Sequence, residues 1–443
     1  MKLLFILPEY LPHAGGGIIT FYRMLLPRLV AAGHHVRVII GSAVFAQPAA
    51  PPLLIDGVEV EMLDAGILDK YLDRFSCFAA TPGLARSLAA AWALREQAGG
   101  GADYDLVEAT DWGLLFLPWV LELGPPVIVQ MHGSGGQIEV HDPVVGEELQ
   151  GHLLRLIERQ GIALADRVQS YSHANAGFWR SQAACPVEFI PAAWRSLLAE
   201  GAVAARSERG LVVGRVQRWK GPQVLCAALR LLGERAPQID WMGRDTIYED
   251  RGTSTSAFLA QTYPDVWNKS MTQRPQQPFE KTAQLQAEAA FVVVPSTWDV
   301  FNFTCIESMG AGTPVICSTG AGASQLIEDG VNGFVFENED ADSLASALDR
   351  FLALTGAQRA QLADAGRATI MDVMDPDKIS AQRLLSYGEV AASVRPPIEP
   401  GNWLRRACLP ESRPVADLAF LDQLPLKRLV RHVWHRSLNK LRR

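Results

Sequence analysis

The sequence is poor in cysteine for its length, because its 443 residues contain six cysteines and no Cys-x-x-Cys spacing. That scarcity argues against a disulfide framework or a structural zinc site and fits a reducing compartment. Low-complexity segments are also missing, and 48% of the residues are hydrophobic while 20% are charged. This composition excludes a disordered or collagen-like chain and predicts two or three globular domains, at roughly 100–200 residues per domain.

Long apolar runs are missing as well. The most apolar stretch, residues 113–131, contains Glu122 and three prolines, whereas a membrane-spanning helix needs about 20 apolar residues without such breaks. The first apolar run, residues 3–7, ends at Pro8 and is shorter than the apolar core of a signal peptide, about 7–15 residues. We therefore expect this run to be a buried first strand and the protein to stay in the cytoplasm.

Positive charge is concentrated at one end of the chain. The formal net charge is −7, yet residues 427–443 hold seven Lys or Arg and no acidic residue. The rest of the chain therefore carries a formal charge of −14. An acidic body with a short basic tail argues against a general nucleic-acid binder, so we expect no nucleic-acid partner.

Short apolar runs alternate with helical patterns in two series, separated by an Ala-, Ser- and Arg-rich stretch around 192–209. Such alternation predicts parallel sheets with helices on both faces. We predict an α/β protein of two doubly wound, Rossmann-like domains that face each other across a cleft, with ligands at the carboxyl ends of the strands. The predicted segments are an N-terminal acceptor-side domain (1–195), a C-terminal nucleotide-sugar domain (206–375), a helix returning to the N-terminal domain (376–395) and a helical extension with the basic tail (396–443).

Two positively charged side chains follow the first predicted strand of the second series. Arg215 and Lys220 lie in the segment Gly214-Arg-Val-Gln-Arg-Trp-Lys-Gly221. An arginine fork and a lysine point charge at this spacing can hold a diphosphate from two sides. The alternative interpretation is a solvated basic loop.

Two carboxylates follow a later strand of the same series. Asp299 lies in the loop after Pro295, and Glu307 lies eight residues further on, in a helix predicted to begin near Phe303. Acids so placed can bind different hydroxyl groups of one polyol ligand. The alternative interpretation, for either acid alone, is a surface carboxylate without a ligand.

A weaker feature is the run Gly15-Gly16-Gly17, which follows the first strand and opens a helix. Backbone N–H groups at such a turn can bind an anion with the help of the helix dipole. The glycines can equally form a tight turn and nothing more.

Over about residues 1–390 the sequence resembles the retaining glycosyltransferases of family 4, which have the GT-B architecture. The family pattern contains GR…KG, then PS…E-x7-E…GTPV, a Gly-rich turn and a dGxNG hairpin. The matching segments are Gly214-Arg215…Lys220-Gly221, Pro295-Ser296, Asp299-x7-Glu307, Gly312-Thr-Pro-Val315, Gly320-Ala-Gly322 and Asp329-Gly-Val-Asn-Gly333, with weaker matches at Asp111-Trp112-Gly113, His132-Gly133 and Glu158…Ala165-Asp166.

Three positions depart from that pattern. Asp299 replaces the usual Glu, Gln325 stands where many relatives carry Glu, and Pro191-Ala-Ala replaces Pro-Asn-Gly. These departures put the identity of the sugar in question more than the nucleotide site.

The resemblance implies transfer of a sugar from a nucleotide-diphosphate donor with retention of the anomeric configuration. In that reading Arg215 and Lys220 bind the phosphates, assisted by N–H groups of Gly16 and Gly17. Glu307 binds the ribose hydroxyls.

The donor sugar is assigned by the same resemblance to Asp299 and to backbone N–H groups near Asn302 and Phe303. His132 would lie beside the sugar from the N-terminal domain, unless it is an ordinary histidine at the end of a strand. No covalent nucleophile is evident, and the departing phosphate oxygen would take the acceptor proton.

The sequence predicts no cofactor and no metal ion. The nucleotide sugar is a substrate, no His/Cys group has metal-ligand spacing, and Arg215 and Lys220 can supply the positive charge. The expected acceptor is a glycan or a lipid-linked saccharide, in the assembly of a bacterial surface polysaccharide, lipopolysaccharide or glycoconjugate. A nucleotide-sugar epimerase on the same architecture and a catalytically weak nucleotide-sugar-binding partner subunit remain as alternatives.

The basic tail, 425–443, predicts an amphipathic helix. At about 100° per residue its apolar side chains fall on one half of the circumference and most Lys and Arg on the other. The apolar set is Leu426, Leu429, Val430, Val433, Trp434, Leu438 and Leu441. Such a helix suits the headgroup zone of an anionic leaflet, so the sequence predicts a peripheral membrane contact; packing on the acidic body is the alternative.

Overall fold

The computed structural model describes residues 1–13, 16–141, 149–196, 206–248, 252–393, 402–413, 415–419 and 426–441. Its first half contains an eight-stranded sheet. The strands are β1 (Lys2–Leu7), β2 (His35–Ile40), β3 (Leu53–Ile55), β4 (Val58–Met62), β5 (Leu106–Thr110), β6 (Val127–Met131), β7 (Arg167–Ser170) and β8 (Val187–Phe189). The helices are α1 (Gly17–Ala31), α2 (Ala65–Asp73), α3 (Pro82–Gln97), α4 (Leu117–Leu121), α5 (Gly135–His141), α6 (Leu149–Ile162) and α7 (His173–Arg180).

Strand β1 is central in this N-terminal sheet, whose order is β3-β4-β2-β1-β5-β6-β7-β8. Residues 3–7 have no exposed surface, because helices cover both faces and a strand buried on both faces needs a continuous apolar run. The strand pairs in parallel with β2 and β5, and the antiparallel pair β3–β4 forms one edge. The carboxyl ends of the parallel strands therefore share one edge of the sheet.

The second half contains a six-stranded parallel sheet of order β13-β10-β9-β14-β15-β16 and a small hairpin. Its strands are β9 (Gly210–Val213), β10 (Ile239–Met242), β11 (Ile247–Tyr248), β12 (Thr253–Ser254), β13 (Met271–Arg274), β14 (Phe291–Val294), β15 (Val315–Ser318) and β16 (Phe334–Phe336). The helices are α8 (Pro222–Leu232), α9 (Thr255–Thr262), α10 (Phe279–Glu288), α11 (Phe303–Gly310), α12 (Ala341–Leu352), α13 (Gly356–Val373) and α14 (Pro376–Ala391).

Helix α14 returns from the second half to the first. Asp375 caps its start by accepting the N–H groups of Asp377 and Lys378. Its Arg383 is fully buried against the N-terminal sheet, and its guanidinium lies 3.7 Å from Glu108 on β5.

Polar partners satisfy most of this buried charge. The Arg383 guanidinium donates to Gln169 at 2.9 Å and to Gln130 at 2.7 Å. The Glu108 carboxylate accepts from the hydroxyls of Tyr22 at 2.7 Å and Tyr387 at 2.5 Å. Because a buried charge is tolerated only when it is paired and hydrogen-bonded, this network fixes how α14 lies on the sheet.

The C-terminal strap, which we define as residues 402–413 and 415–419, packs on the outside of the N-terminal half. It contains α15 (Trp403–Cys408), whose Leu404 and Cys408 are buried. The indole N–H of Trp92 donates to the Cys408 carbonyl at 2.8 Å, and the N–H of Ala80 donates to the Asp417 carboxylate at 3.0 Å. The strap therefore completes the core around α3.

Beyond the strap lies α16 (Leu426–Leu441), the predicted tail helix. Its Leu426, Val430, Val433 and Trp434 are 60–73% exposed. The other side of the helix carries most of its Lys and Arg. None of the helices in the described ranges combines the length and apolarity needed to cross a bilayer.

The predicted fold class is confirmed: two parallel α/β sheets are present, followed by C-terminal helices. Strands β3, β8 and β13 lie at sheet edges and were not predicted. The sequence of β13, Met-Thr-Gln-Arg, offers one apolar side chain, and so lacks the apolar pattern of a central strand. Of the stretch predicted to separate the two series, residues 197–205 lie outside the described residues.

The buried ion pair gives a first prediction. We expect Arg383→Ala to reduce the free energy of unfolding by about 3–5 kcal/mol, because it leaves the buried Glu108 carboxylate without its positive partner. Urea unfolding followed by tryptophan fluorescence measures the loss.

The matched control is Arg28→Ala. The Arg28–Asp377 pair joins α1 to α14 at 2.9 Å, but its side chains are 25% and 73% exposed, so its loss should cost less than about 1 kcal/mol. Equal losses in the two variants would contradict a structural role for the buried network.

Candidate active site

A cleft of about 1120 Å³ lies between the carboxyl edges of the two sheets. Side chains and loops of both halves line it. All nine residues predicted from the sequence are among them: Gly16, Gly17, His132, Arg215, Lys220, Asp299, Asn302, Phe303 and Glu307. The fold therefore brings together residues that are up to about 290 positions apart in the chain.

Lys220 is placed by a tight turn after β9. Residues 218–220 form one turn of 3-10 helix, and Gly221 follows with φ +75°. A Cβ atom at Gly221 would lie 1.8 Å from the carbonyl oxygen of Pro295, so only glycine fits. The Lys220 ammonium then lies 2.6 Å from the Asp299 carboxylate and 4.0 Å from the centre of the Trp219 ring.

The loop that carries Asp299 is fixed at both backbone groups of that residue. The Asp299 N–H donates to the Gly320 carbonyl at 3.0 Å, and the Asp299 carbonyl accepts from the Gly322 N–H at 3.0 Å. The carboxylate also accepts from the side-chain amide of Asn302 at 3.0 Å. Lys220, Asp299 and Asn302 therefore form one hydrogen-bonded group at the cleft wall.

Asn302 has a strained backbone, with φ +81°, a conformation that costs a non-glycine residue about 1–3 kcal/mol. Its side chain compensates, because Oδ1 accepts the N–H of Cys305 and caps α11. The first residues of α11, Phe303 and Thr304, line the cleft, and the dipole at the start of a helix favours oxygen ligands.

Glu307 lies one turn into α11, partly exposed to the cleft. Burial raises the pKa of its carboxyl group, while a hydrogen bond from Gln286 opposes the rise. That bond, from Nε2 to the Glu307 carboxylate, is 3.2 Å long. Gln286 was not predicted, since a single Gln in a helical pattern gives no functional signal.

His132 lies at the end of β6 and faces the cleft from the N-terminal half. Its Nδ1 and the Tyr171 hydroxyl share a hydrogen bond of 2.8 Å, while its buried Nε2 has no hydrogen-bond partner among the described residues. Burial, helped by the charge of Arg383, lowers the pKa of the imidazole to about 3.

Asp111 holds the loop of His132 in place. Its carboxylate accepts the N–H groups of His132 at 2.9 Å and Gly133 at 3.0 Å. Burial raises the pKa of this carboxyl group to about 7. The Asp111-Trp-Gly match in the sequence thus corresponds to a residue that supports the cleft wall.

Of the glycines after β1, Gly17 contacts the opposite half of the protein. A Cβ atom at Gly17 would lie 2.7 Å from the Phe303 ring, so glycine permits close approach of α1 to α11. The Gly16 N–H, predicted to face a phosphate, donates here to the Glu9 carboxylate at 3.1 Å. Gly15 lies outside the described residues.

Several cleft residues were missed from the sequence. Arg244 follows β10, and Gln276 and Gln277 follow β13. Their position at strand ends would have identified the last two, had β13 been predicted. Arg23 of α1 reaches the cleft from the other side, with its guanidinium 5.7 Å from the centre of the Phe279 ring, and a single helical arginine gave no signal.

Within the described ranges, no group of three or more His, Cys, Asp or Glu side chains is arranged to hold a metal ion. The cations of the cleft are side chains: Arg23, Arg215, Lys220 and Arg244.

Two family comparisons together cover most of the chain. Residues 16–193 match the family described as glycosyl transferase 4-like domain. Residues 207–353 match the family described as glycosyl transferases group 1. The first match lies in the half with the eight-stranded sheet, and the second lies in the half with the six-stranded sheet.

Two curated relatives are similar over most of their length. The D-inositol 3-phosphate glycosyltransferase of Pseudarthrobacter chlorophenolicus is 28% identical over 364 residues, which cover 77% of this chain and 84% of that protein. The protein of the same name from Thermobifida fusca is 27% identical over 369 residues, covering 76% of this chain and 80% of that one.

Two solved structures share the architecture. Sucrose-phosphate synthase from Thermosynechococcus elongatus superposes with a TM-score of 0.68 at 22% identity, covering 88% of this chain and all of that one. Anabaena HepE in complex with UDP and glucose gives a TM-score of 0.61 at 17% identity, with 88% of this chain and all of that one covered. At these identities the likeness establishes the fold.

The low pKa of His132 gives a second prediction. We expect the His132 imidazole to stay neutral from pH 5 to pH 8, because its pKa of about 3 places protonation below that range. In an NMR titration its ring nitrogen shifts should therefore remain those of a neutral imidazole between these pH values, with only a small displacement near pH 7 as the neighbouring Asp111 titrates, and His132→Gln identifies the signals by their loss. Ring nitrogen shifts that move to imidazolium values within this range would contradict the burial of the ring.

Proposed function

Because the chain belongs to the glycosyl transferases of group 1 and has the GT-B architecture, we propose that it is a retaining enzyme that transfers a sugar from a nucleotide-diphosphate donor to a glycan or lipid-linked acceptor. The observation that carries this proposal is the cleft itself. It places the Lys220–Asp299 pair on one wall and the neutral His132 on the other.

Arg215 and Lys220 bind the donor diphosphate in this proposal. Negative charge accumulates on the diphosphate as its bond to the sugar breaks, and preorganised cations stabilise that charge strongly. The Lys220 ammonium also contacts the Asp299 carboxylate, so one ammonium group links the phosphate subsite to the sugar subsite. These two cations support transfer without a divalent metal ion.

Glu307 accepts hydrogen bonds from the ribose hydroxyls, and the Gln286 amide keeps its carboxylate oriented. Asp299 and the N–H groups at the start of α11 bind hydroxyls of the donor sugar. Asp299 is held by Lys220 and Asn302, so its short side chain has little freedom. This rigidity supports a narrow choice of sugar.

His132 approaches the sugar from the N-terminal half. Positive charge develops on the sugar in the transition state, and a protonated imidazole there would repel it. The depressed pKa of His132 keeps the ring neutral, so this side chain can line the cleft without repelling that charge. No side chain need act as nucleophile, because the departing phosphate oxygen can accept the proton of the attacking acceptor hydroxyl on the same face.

We further propose that α16 brings the enzyme to the inner face of an anionic membrane, beside a lipid-linked acceptor. The exposed apolar side chains of α16 and its Lys and Arg residues have the character of an interfacial helix. The strap anchors this helix to the N-terminal half, which is the acceptor side in this proposal. Surface polysaccharide, lipopolysaccharide or glycoconjugate assembly in a bacterium fits such an acceptor.

The donor site is tested first. A thermal-shift screen of nucleotide sugars should identify the donor, since a ligand at 100 times its Kd adds about 2.7 kcal/mol of stability. With that donor, Lys220→Met should lower kcat/KM roughly 10- to 100-fold, because a hydrogen bond to a charged group contributes about 1.5–3 kcal/mol.

Arg218→Ala is the matched control, since Arg218 lies on the same turn but does not line the cleft. A kcat/KM close to the parent value in Lys220→Met would contradict the proposed donor site. Nucleotide binding without sugar transfer in the parent protein would contradict the proposed transferase activity. Excess chelator should leave the rate unchanged; a loss that magnesium restores would refute metal-independent transfer.

The tail is tested by truncation. A chain ending at Ala419 keeps the strap but lacks α16, so it should fold normally and fail to float with vesicles that contain anionic lipid. The full chain should float, because each Lys or Arg near such a surface contributes about 1 kcal/mol.

Neutral vesicles serve as the control and should retain neither protein. If the full chain and the truncated chain behave alike on anionic vesicles, α16 is not an anchor.

A further inference from the structure

One side chain joins the loop of Asp299 to the N-terminal sheet. The amide of Gln325 donates from Nε2 to the Tyr171 carbonyl at 3.1 Å, and its Oε1 accepts the His173 N–H at 2.8 Å. The nitrogen and the oxygen of the Gln325 side-chain amide are therefore both hydrogen-bonded to backbone groups of the N-terminal half.

In the second half of the protein, Gln325 lies two residues after a turn that is hydrogen-bonded to the Asp299 loop. The turn 320–323 is bonded to residues 299–301 by three backbone hydrogen bonds, which include Gly322 N–H to Asp299 at 3.0 Å and Ala323 N–H to Phe301 at 2.6 Å. Gln325 belongs to the short helical segment 322–326, so it is linked to Asp299 through these backbone bonds.

On the opposite side, Gln325 fixes the connection between β7 and α7. His173 is the first residue of α7, and its N–H has no partner inside the helix. Tyr171 is 2% exposed; its ring lies 5.1 Å from that of Phe301 and its hydroxyl bonds to His132. The position of Tyr171 therefore sets the position of the His132 ring.

We propose that Gln325 is a positioning residue that holds the cleft closed, so that His132 and Asp299 face the same donor sugar. It acts through Tyr171 and the 299–301 loop, and it does not line the cleft. The inference rests on the proposed transferase function. An amide meets both needs at neutral pH, because it donates to the Tyr171 carbonyl while accepting from His173, whereas a carboxylate can only accept.

Gln325→Glu is the decisive variant. At pH 8 its carboxylate can accept from His173 but faces the Tyr171 carbonyl oxygen, so kcat should fall roughly tenfold while the Kd of the nucleotide stays at the parent value. Protonation restores a donor, and the unperturbed pKa of Glu is about 4.3. The ratio of variant to parent kcat should therefore rise about twofold between pH 8 and pH 5.

That ratio cancels any pH dependence that both proteins share, because the neighbouring residues Asp299, His132 and His173 are the same in both. Gln325→Met removes both hydrogen bonds without adding a charge. Its kcat should be lower than that of the parent at pH 8, and the ratio of the two kcat values should not rise at pH 5. The matched control is Gln361→Glu, which adds the same charge at an exposed position of α13 and should leave kcat unchanged.

Parent-like kcat in Gln325→Glu at pH 8, a ratio that does not change with pH, or a parallel loss of nucleotide affinity would each overturn the inference. Small-angle X-ray scattering provides a readout independent of activity: Gln325→Glu should have a larger radius of gyration at pH 8 than Gln361→Glu. If the parent shows no transfer, the proposed function fails, and scattering alone decides whether Gln325 closes the cleft.

Discussion

The relation between the two halves depends on a buried ion pair that lies outside the cleft. Taking two charges out of water costs several kcal/mol per ion unless every polar group finds a partner. The carboxylate of Glu108 and the guanidinium of Arg383 meet most of that demand through two tyrosines and two glutamines, and Nε of Arg383 is left without a hydrogen-bond partner among the described residues. Arg383 and Tyr387 of α14 make three of these hydrogen bonds, which tie the helix to the N-terminal sheet. Since α14 is the return from the second sheet to the first, this network determines which residues face each other across the cleft.

The central strands could be predicted because burial on both faces demands continuous apolar sequence, as in residues 3–7 and 291–294. The edge strands β8 and β13 could not, because β8 is only three residues long and β13 has a single apolar side chain, so neither contains a continuous apolar run. The burial of Glu108 could not be predicted from the local sequence at all. Within Leu-Val-Glu-Ala-Thr it resembles a half-exposed strand residue, and its burial depends on Tyr387, 279 positions further along the chain.

The candidate site was predictable to the extent that its residues follow strands or begin helices. Arg215, Lys220, Asp299 and Glu307 satisfy that condition, and the fold places them all at the cleft. The contacts between them were not predictable, because they depend on how loops from different strands meet. The Lys220–Asp299 pair and the Gln286–Glu307 bond are of this kind. The hydrogen bonds of Gln325 to Tyr171 and His173 were not predictable either. In the sequence, Gln325 was noted only because many members of the family carry Glu there.

The C-terminal strap makes the N-terminal half a discontinuous domain. Its first segment ends near Phe189, and the pieces that complete it, α14 and the strap, are synthesised after the whole second sheet. A nascent first half therefore emerges with the Glu108 carboxylate and the Trp92 indole lacking their later partners, Arg383 and Cys408. The second half, in contrast, is contiguous in sequence. During synthesis the half that is made second is thus the one able to finish folding first, and the half that is made first stays incomplete until α14 and the strap have left the ribosome.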